Sequence, residues 1–295
     1  MAVVTIVGAG VIGISWAQLF GKAGWEVRIS DPRPDLQEIV DRQLPDLPVR
    51  GVADLAAAAS DADFVQEAGP ERIAIKEQMF ATLAANTRDD VVLASSSSSL
   101  LPSVIAEGNP AADRIVIGHP FNPPELMPLV EVVPGTQTSP ATVARAVEVY
   151  RSLGKLPITL KKEVPGFVGN RLQKVFNEQA FYLVQQGVIT PQDLDLLVRA
   201  SLGLRWATTG PFESGVLGGG PEGIRHLLTH VGSELTFEVG APDPSKMDAL
   251  IDEVENAYGT GEENYQRLAE IRDRRTRAIL EPLDWQEPAR GDRDQ

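Results

Sequence analysis

The feature that most constrains the fold is a spaced set of glycines near the start of the chain. Residues 3–7 form an apolar run typical of a buried β-strand, and Gly8, Gly10 and Gly13 follow it as G-x-G-x-x-G before a helical stretch. In a strand–turn–helix unit the first glycine permits a tight turn, the second lets a pyrophosphate approach the backbone, and the third lets the helix pack closely on the strand. The pattern predicts a dinucleotide-binding unit; a glycine-rich turn that binds nothing is the alternative.

An acidic residue after the second predicted strand strengthens this interpretation. Asp31 lies 18 residues after Gly13, near the position where such units place the carboxylate that binds the ribose 2′-hydroxyl. A carboxylate there would repel a 2′-phosphate, so NAD is favoured over NADP, although the nearby Arg33 weakens the inference. The pyrophosphate is expected on the backbone of the glycine turn, which includes Val11 and Ile12.

Short β-like runs alternate with helical stretches over the first half of the chain. This order is typical of a parallel sheet covered by helices on both faces, so residues 1–161 are predicted to form an α/β domain with a doubly wound, Rossmann-type sheet. The pattern then becomes helical, which predicts an all-helical domain over residues 162–295. The predicted strands cover residues 3–7, 26–29, 64–66, 91–94, 115–117, 129–133 and 156–160.

Composition narrows the classes of function. The chain has no cysteine, which excludes disulfides, thiolate metal sites and thiol nucleophiles and suits a reducing, cytoplasmic compartment. A formal net charge of −14 disfavours binding to nucleic acid. Residues 1–21 carry no charge, but no basic residue precedes them and glycines interrupt them, so neither a signal peptide nor a membrane span is expected.

Among the three histidines, His119 is the candidate general base. It follows the predicted strand 115–117, and residues at the carboxyl ends of parallel strands face the ligand crevice. Oxidation of an alcohol by hydride transfer needs a base for the hydroxyl proton, and imidazole titrates in the useful range. Glu131, an acid inside the apolar strand 129–133, is a candidate to orient that imidazole. The alternative for Glu131 is a solvent-facing position on an edge strand.

The other two histidines, His226 and His230, lie four residues apart on a predicted helix. Two histidines at this spacing can bind a metal, but no H-E-x-x-H pattern or third ligand accompanies them. No metal site is therefore predicted, and ordinary surface or half-buried histidines are the favoured interpretation.

Several motifs follow one another along most of the chain. They are the glycine triplet, Gln66-Glu67-Ala68-Gly69-Pro70-Glu71 with Lys76, the serine run 95–99 with Leu100, Gly118-His119-Pro120-Phe121-Asn122-Pro123-Pro124, and the stretch from Glu163 to Gln173. In this order they resemble the L-3-hydroxyacyl-CoA dehydrogenase superfamily, and within it the lambda-crystallin and L-gulonate 3-dehydrogenase branch most closely. The resemblance implies an NAD-binding domain followed by a helical domain that forms a dimer.

The resemblance also implies catalytic roles. His119 matches the family's base in alcohol oxidation, and Glu131 matches the acid that pairs with it. Ser98 falls where the family has a serine that hydrogen-bonds the reacting oxygen. Asn170 matches an asparagine that polarises the substrate carbonyl.

Three further positions resemble the family's cofactor surroundings. Lys76 and Glu71 match positions near the nicotinamide ribose, and Asn122 lies in the H-x-x-N-P motif, where it would shape the loop beside the cofactor. From the residues alone, the serine run is either a flexible linker or a helix start, with Ser97 or Ser99 as the cap.

Two features depart from the acyl-CoA enzymes. Those enzymes carry a helical hairpin over the CoA moiety after the second strand, whereas here only 32 residues separate Asp31 from Phe64, with one short helix expected. The stretch 203–211 resembles a G-x-R-x-A-x-x-G-P segment of gulonate and carnitine dehydrogenases, in which Arg205 would clamp a substrate carboxylate. A structural ion pair of this arginine, for example with Glu213, is the alternative.

Taken with the resemblance, the sequence predicts a cytoplasmic NAD-dependent dehydrogenase. It would oxidise the 3-hydroxyl of a small, L-gulonate-like 3-hydroxy acid to the 3-keto acid, as a homodimer formed through the helical domain. A short-chain L-3-hydroxyacyl-CoA dehydrogenase and a carnitine 3-dehydrogenase are alternatives with the same chemistry. A non-catalytic, crystallin-type protein that binds NAD(H) is the alternative from a different class.

Overall fold

The computed structural model describes residues 1–232 and 237–283. The chain divides into two compact units, the first ending at Arg171 and the second beginning at Leu172. The first unit extends past the boundary predicted after residue 161, because the backbone N–H groups of Val168 and Gly169 are hydrogen-bonded to a side chain of the sheet.

The first unit is built around one 8-stranded sheet with the order β3-β2-β1-β4-β5-β6-β7-β8. The strands are β1 (Val3–Val7), β2 (Glu26–Ser30), β3 (Val49–Gly51), β4 (Phe64–Glu67), β5 (Val92–Ser95), β6 (Ile115–Pro120), β7 (Leu129–Pro134) and β8 (Leu156–Thr159). All neighbours pair in parallel except β6 and β7, which are antiparallel. Only residues 121–128 join those two strands, and a parallel crossover needs a longer connection.

Helices lie on both faces of this sheet. They are α1 (Val11–Lys22), α2 (Leu36–Gln43), α3 (Leu55–Ala59), α4 (Ile73–Asn86), α5 (Pro102–Ile105) and α6 (Pro140–Ser152). Alternation along the strands sorts the apolar side chains into two cores. Val4 and Ile6 pack in one core with residues of α1, α2 and α6, whereas Val7 packs in the other with residues of α3, α4 and α5. The predicted doubly wound sheet is confirmed.

The segment between β2 and β4 holds more structure than the single short helix predicted. After α2, β3 extends the sheet beside β2, and α3 follows with Ala58 and Ala59 fully buried. The Asp54 carboxylate caps α3 by accepting the N–H of Ala57. The strand β3 is only 3 residues long and follows two prolines, which is why its pattern is inconspicuous in the sequence.

The described part of the second unit is helical. Its helices are α7 (Gly169–Gln185, which begins in the first unit), α8 (Pro191–Ala200), α9 (Leu202–Thr208), α10 (Pro211–Gly218), α11 (Gly223–His226), α12 (Met247–Tyr258) and α13 (Glu262–Leu280). Thr190 caps α8 with Pro191 at its first position, a pattern typical of a helix start. None of the described helices combines the length and apolar character needed to cross a membrane.

Candidate active site

The glycine turn leaves its backbone open where a pyrophosphate would lie. Gly8 has a φ of 103°, and a Cβ there would lie 2.7 Å from the backbone oxygen of Ala68. A Cβ on Gly13 would lie 1.9 Å from the Gly8 oxygen, so packing requires glycine at both positions. A Cβ on Gly10 would meet nothing within 4 Å, which leaves room for a ligand beside the backbone.

The N-terminus of α1 has no side-chain cap among the described residues. Gly10 provides no side-chain hydrogen bond, and the first turn contains no acidic residue. Val11 is 66% exposed at the first helical position, whereas Ile12 packs against the core. The N–H groups of this turn have no intrahelical partner, and together with the positive end of the helix dipole they fit the pyrophosphate of NAD.

Asp31 is fixed beside this turn, directly after β2. Its carboxylate accepts the N–H of Ala9 at 2.8 Å and the N–H of Arg33 at 3.0 Å. The Arg33 guanidinium forms a two-pronged ion pair with Asp35, at 2.7 and 3.1 Å. Because its guanidinium is hydrogen-bonded to Asp35, Arg33 is not hydrogen-bonded through that group to Asp31, and the site fits a ribose 2′-hydroxyl better than a 2′-phosphate.

His119 and Glu131 are direct partners across the antiparallel strands β6 and β7. His119 Nδ1 lies 2.8 Å from Glu131 Oε2, and both side chains are buried. Since β7 lies inside the sheet between β6 and β8, the solvent-facing edge position considered for Glu131 is excluded. With Nδ1 donating to the carboxylate, Nε2 of the neutral imidazole keeps the lone pair that a general base requires.

The second oxygen of Glu131 is also bound. Oε1 accepts the N–H groups of Val168 and Gly169, each at 3.0 Å. Burial acts to raise the pKa of Glu131, but the hydrogen bonds from His119 and the two amides outweigh it and hold the pKa below its ordinary value. The carboxylate therefore stays ionised and can stabilise an imidazolium on His119.

The serine run is an ordered loop. The N–H groups of Ser98 and Ser99 donate to Glu71 Oε1 at 3.1 and 3.0 Å, and the Ser97 hydroxyl donates to the same oxygen. The Asn170 side-chain amide donates to the Ser98 carbonyl at 3.1 Å. These bonds exclude a flexible linker. Neither Ser97 nor Ser99 caps the next helix, because α5 begins only at Pro102.

The structure brings the four predicted catalytic residues into one constellation of two hydrogen-bonded pairs, His119–Glu131 and Asn170–Ser98. Glu131 binds His119 through one oxygen and the N–H of Gly169 through the other. The next residue along the chain, Asn170, binds Ser98, which is exposed. The chemical roles of Ser98 and Asn170 stay predictions from the resemblance.

Glu71 and Lys76 belong to a charge network beneath the serine run. The Lys76 ammonium is buried, 2.7 and 2.8 Å from the two Glu67 oxygens and 3.3 Å from Glu71. Burial acts to raise the pKa of Glu71, but the Ser97 hydroxyl and the Lys76 charge lower it to about 2. Lys76 thus contacts Glu71 from a buried position, and its place near a nicotinamide ribose stays a prediction.

Asn122 lies in the loop between β6 and β7. It is exposed and forms a cis peptide with Pro123. The ring of the preceding Phe121 lies 5.5 Å from the His119 ring, and the Phe167 ring lies at the same distance. This loop therefore borders the candidate base.

Sequence reasoning gave no role to Glu67, to Phe167 or to the amides of Val168 and Gly169. For Glu67 a signal was present, because an acid at the end of an apolar strand needs a buried partner. For the Phe167 turn, the signal was the preceding Pro-Gly pair, and Phe167 has a positive φ of 48°.

Arg205 lies on α9 in the second unit, with an exposed side chain. Among residues 1–232 and 237–283 it forms no ion pair, with Glu213 or with another acid. His226 Nδ1 lies 3.1 Å from Glu222 Oε2, and its ring stacks on His230 with centroids 4.5 Å apart. Within the same described ranges, no three potential ligands gather around a metal position.

Two family models cover most of the chain. The model of the NAD-binding domain of 3-hydroxyacyl-CoA dehydrogenase matches residues 3–47 and 37–164, and the model of the C-terminal domain matches residues 166–267. Both predicted domains thus have counterparts in one family, in the predicted order.

Similar proteins point to the same chemistry. A 3-hydroxyacyl-CoA dehydrogenase of Gibberella moniliformis is 44% identical over 78% of this chain and 77% of its own. An L-carnitine dehydrogenase of Nocardiopsis dassonvillei is 39% identical over 97% of this chain and 93% of its own. The solved structure of 5-formyl-3-hydroxy-2-methylpyridine 4-carboxylic acid 5-dehydrogenase, an NAD+-dependent dismutase, has a TM-score of 0.80 at 29% identity and covers 96% of this chain and 100% of that chain. The finer likeness to the lambda-crystallin and L-gulonate branch stays a prediction.

Proposed function

Because the chain belongs to the 3-hydroxyacyl-CoA dehydrogenase family and is an NAD-dependent dehydrogenase acting on a CH–OH group, we propose that its substrate is a small 3-hydroxy acid with a free carboxylate. Oxidation at C3 gives the 3-keto acid. The observation that carries the chemistry is the buried His119–Glu131 pair, with 2.8 Å between Nδ1 and Oε2. L-Carnitine, itself a 3-hydroxy acid, is the first candidate, and L-gulonate is the second.

The chemistry assigns a task to each residue of the constellation. NAD, when bound, accepts the hydride from the carbinol carbon. His119 Nε2 takes the hydroxyl proton, and Glu131 stabilises the imidazolium that results. Ser98 would hydrogen-bond the reacting oxygen, and Asn170 would polarise the substrate carbonyl.

The segment between β2 and β4 supports a small substrate. Residues 32–63, all described, form α2, β3 and α3, and β3 and α3 are built into the sheet and its core. None of this segment forms a helical hairpin of the kind that lies over CoA in the acyl-CoA enzymes. A free acid does not need such a cover. Because one relative is named 3-hydroxyacyl-CoA dehydrogenase, a short-chain 3-hydroxyacyl-CoA ester is the competing candidate substrate for this chain.

The substrate class is tested by NADH formation with L-carnitine, 3-hydroxybutyrate, L-gulonate and 3-hydroxybutyryl-CoA at equal concentrations. Turnover of a free acid with the CoA ester idle is expected. Turnover of the CoA ester alone would overturn the proposal. The variant His119→Gln, assayed with each substrate, measures the background rate of any contaminating dehydrogenase, which is then subtracted.

Arg205 is proposed as the group that binds the substrate carboxylate. Its exposed guanidinium has no partner among the described acids, and a guanidinium binds a carboxylate through two parallel hydrogen bonds. Arg205→Ala should raise KM for the free acid about 10- to 100-fold, the loss of roughly 1.5–3 kcal/mol from a charged hydrogen bond. Arg199→Ala, an exposed arginine on α8, is the control. An unchanged KM in Arg205→Ala would contradict this role.

We further propose that two copies assemble through the helical unit and that the enzyme works in the cytoplasm. The support for assembly is the large number of exposed apolar side chains on that unit, among them Phe212 at 80%, Leu217 at 66% and Leu196 at 59%. Soluble monomers rarely expose so much apolar surface together.

A further inference from the structure

The loop that connects β6 to β7 in the α/β unit is held by side-chain hydrogen bonds that a connection between strands does not require. The 121–128 loop follows the His119–Pro120 end of β6, carries Asn122 and leads into β7. Three of its residues are prolines, so backbone N–H groups remain only at residues 121, 122 and 125–127. Side chains from two other elements bind it within the first unit.

The first fastening comes from the helix that begins at the glycine turn. Ser15 lies on α1, about one turn after Val11, and is buried. Its hydroxyl donates to the Glu125 carboxylate and accepts the Glu125 N–H at 2.9 Å. One buried hydroxyl therefore holds both the side chain and the backbone of the same loop residue.

The second fastening comes from the start of β8. Lys155 is buried, and its ammonium donates to the carbonyl of Pro124 and, at 3.1 Å, to the carbonyl of Met127. Loss of hydration lowers the pKa of Lys155 to about 8, against the opposing effect of the Glu125 charge. Burying a lysine ammonium against two neutral carbonyls costs free energy. The presence of Lys155 here therefore points to a role in positioning the loop.

We propose that Ser15, Glu125 and Lys155 are positioning residues that form a clamp on the 121–128 loop. The clamp joins the helix that receives the pyrophosphate to the loop that borders His119. Binding of the dinucleotide at the first turn of α1 restrains Ser15 on the same rigid helix, and Ser15 in turn restrains Glu125. The cofactor thus adds, through α1, to the order that the clamp already gives the loop.

Kinetics test the positioning role. Ser15→Ala, Glu125→Ala and Lys155→Met should each lower kcat about 10- to 100-fold, the loss expected from a small misplacement of the reacting groups. The Kd for NADH should change by less than about threefold, because the clamp does not touch the glycine turn. Glu125→Gln keeps an acceptor and should retain most of the activity. A kcat within twofold of wild type in both Ser15→Ala and Glu125→Ala would overturn the proposal.

The matched controls lie on α6 and contact residues of that helix. The Ser152 hydroxyl donates to Val149 within that helix, and Glu148 pairs with Arg145. Ser152→Ala and Glu148→Gln should keep wild-type kcat. If they lose as much as the clamp variants, the losses reflect general stability and the proposal fails.

Hydrogen exchange tests the link to the cofactor and needs no substrate, so its result is independent of the proposed function. The N–H of Glu125 is held by Ser15, and those of Leu126 and Met127 are held by Pro123. NADH should slow exchange of a peptide covering residues 121–129 in the wild type. In Ser15→Ala, NADH should still slow exchange at the start of α1 but not in this peptide. Equal protection of the peptide in both proteins would mean that the cofactor orders the loop directly, and the clamp proposal would fall.

Discussion

The two compact units bury their residues to very different extents. In the first unit, β1, β4, β5 and β6 consist entirely of buried residues. In the second unit, α9 and α13 bury no residue, and α12 buries only Leu250. The α/β unit thus closes its own core, whereas the helical unit leaves its apolar side chains uncovered within one chain.

This difference separates two tasks. A sheet with helices on both faces encloses charged groups such as Glu131 and Lys76 in fixed geometry, which is what acid–base chemistry needs. The described helices of the second unit bury few residues and expose many apolar side chains, which supports the proposed assembly with a second copy. We therefore assign the proposed proton transfer to the first unit and the proposed association to the second.

The largest expected effect tests the first assignment. His119→Gln should lower kcat for NADH formation about 10²- to 10⁴-fold, the usual contribution of a positioned general base. NADH affinity, followed by its fluorescence, should stay close to wild type because the glycine turn is unchanged. His226→Gln, in the helical unit, should keep its activity. A comparable loss of kcat in His226→Gln would show that the chemistry is not confined to the α/β unit.

Association should respond to charges on the helical unit. Phe212→Glu and Leu217→Glu place a carboxylate on side chains that are 80% and 66% exposed in the single chain. If a second copy covers them, each change should weaken the dimer about 30-fold, or roughly 2 kcal/mol. Sedimentation at several protein concentrations measures this. The control is Val104→Glu on α5, in the α/β unit, which should leave the mass unchanged. If the wild type itself is monomeric, the proposed association through the helical unit is wrong.

Cofactor preference should change only through the α/β unit. Asp31→Asn removes the carboxylate that repels a 2′-phosphate, and Asp35→Ala releases the Arg33 guanidinium from its ion pair. The double variant should gain about tenfold in kcat/KM for NADP, since a hydrogen bond to a charged group contributes roughly 1.5 kcal/mol or more. Asp41→Ala, on α2, is the control. If the ratio of kcat/KM for NADP to that for NAD is unchanged, the ribose 2′-position does not lie at Asp31.

The smallest effect concerns acid stability of the serine loop. The pKa of Glu71 is lowered to about 2, so the stability that its charge contributes is present above the ordinary pKa of 4.5 and is lost as the pH falls towards 2. Glu71→Gln should lower Tm by roughly 2–4 °C at neutral pH, the shift expected for about 1 kcal/mol. That difference should shrink between pH 5 and pH 3, as about one proton is taken up on unfolding. Glu77→Gln on α4 is the control. A constant difference in Tm across this pH range would exclude Glu71 as the source.

Short elements escaped prediction where long ones did not. The strands of the sheet interior were recognised because each is an apolar run bounded by polar or glycine residues. The helices α9 and α10 were not, because Gly203 and Gly215 lie inside them and weaken the helical pattern. Likewise β3 forms because β2 offers an open edge, which no local pattern reveals.

The sequence by itself determined the glycine turn, the acid after the second strand and the alternation that makes a doubly wound sheet. These depend on residues a few positions apart, whose conformations are governed by local sterics and burial. Only the tertiary structure decided that Glu131 meets His119, that Glu71 gathers a serine loop 27 residues away in sequence, and that Ser15 binds Glu125 across 110 residues. Such pairs arise from strand register and helix packing, which are properties of the whole core and not of any segment within it.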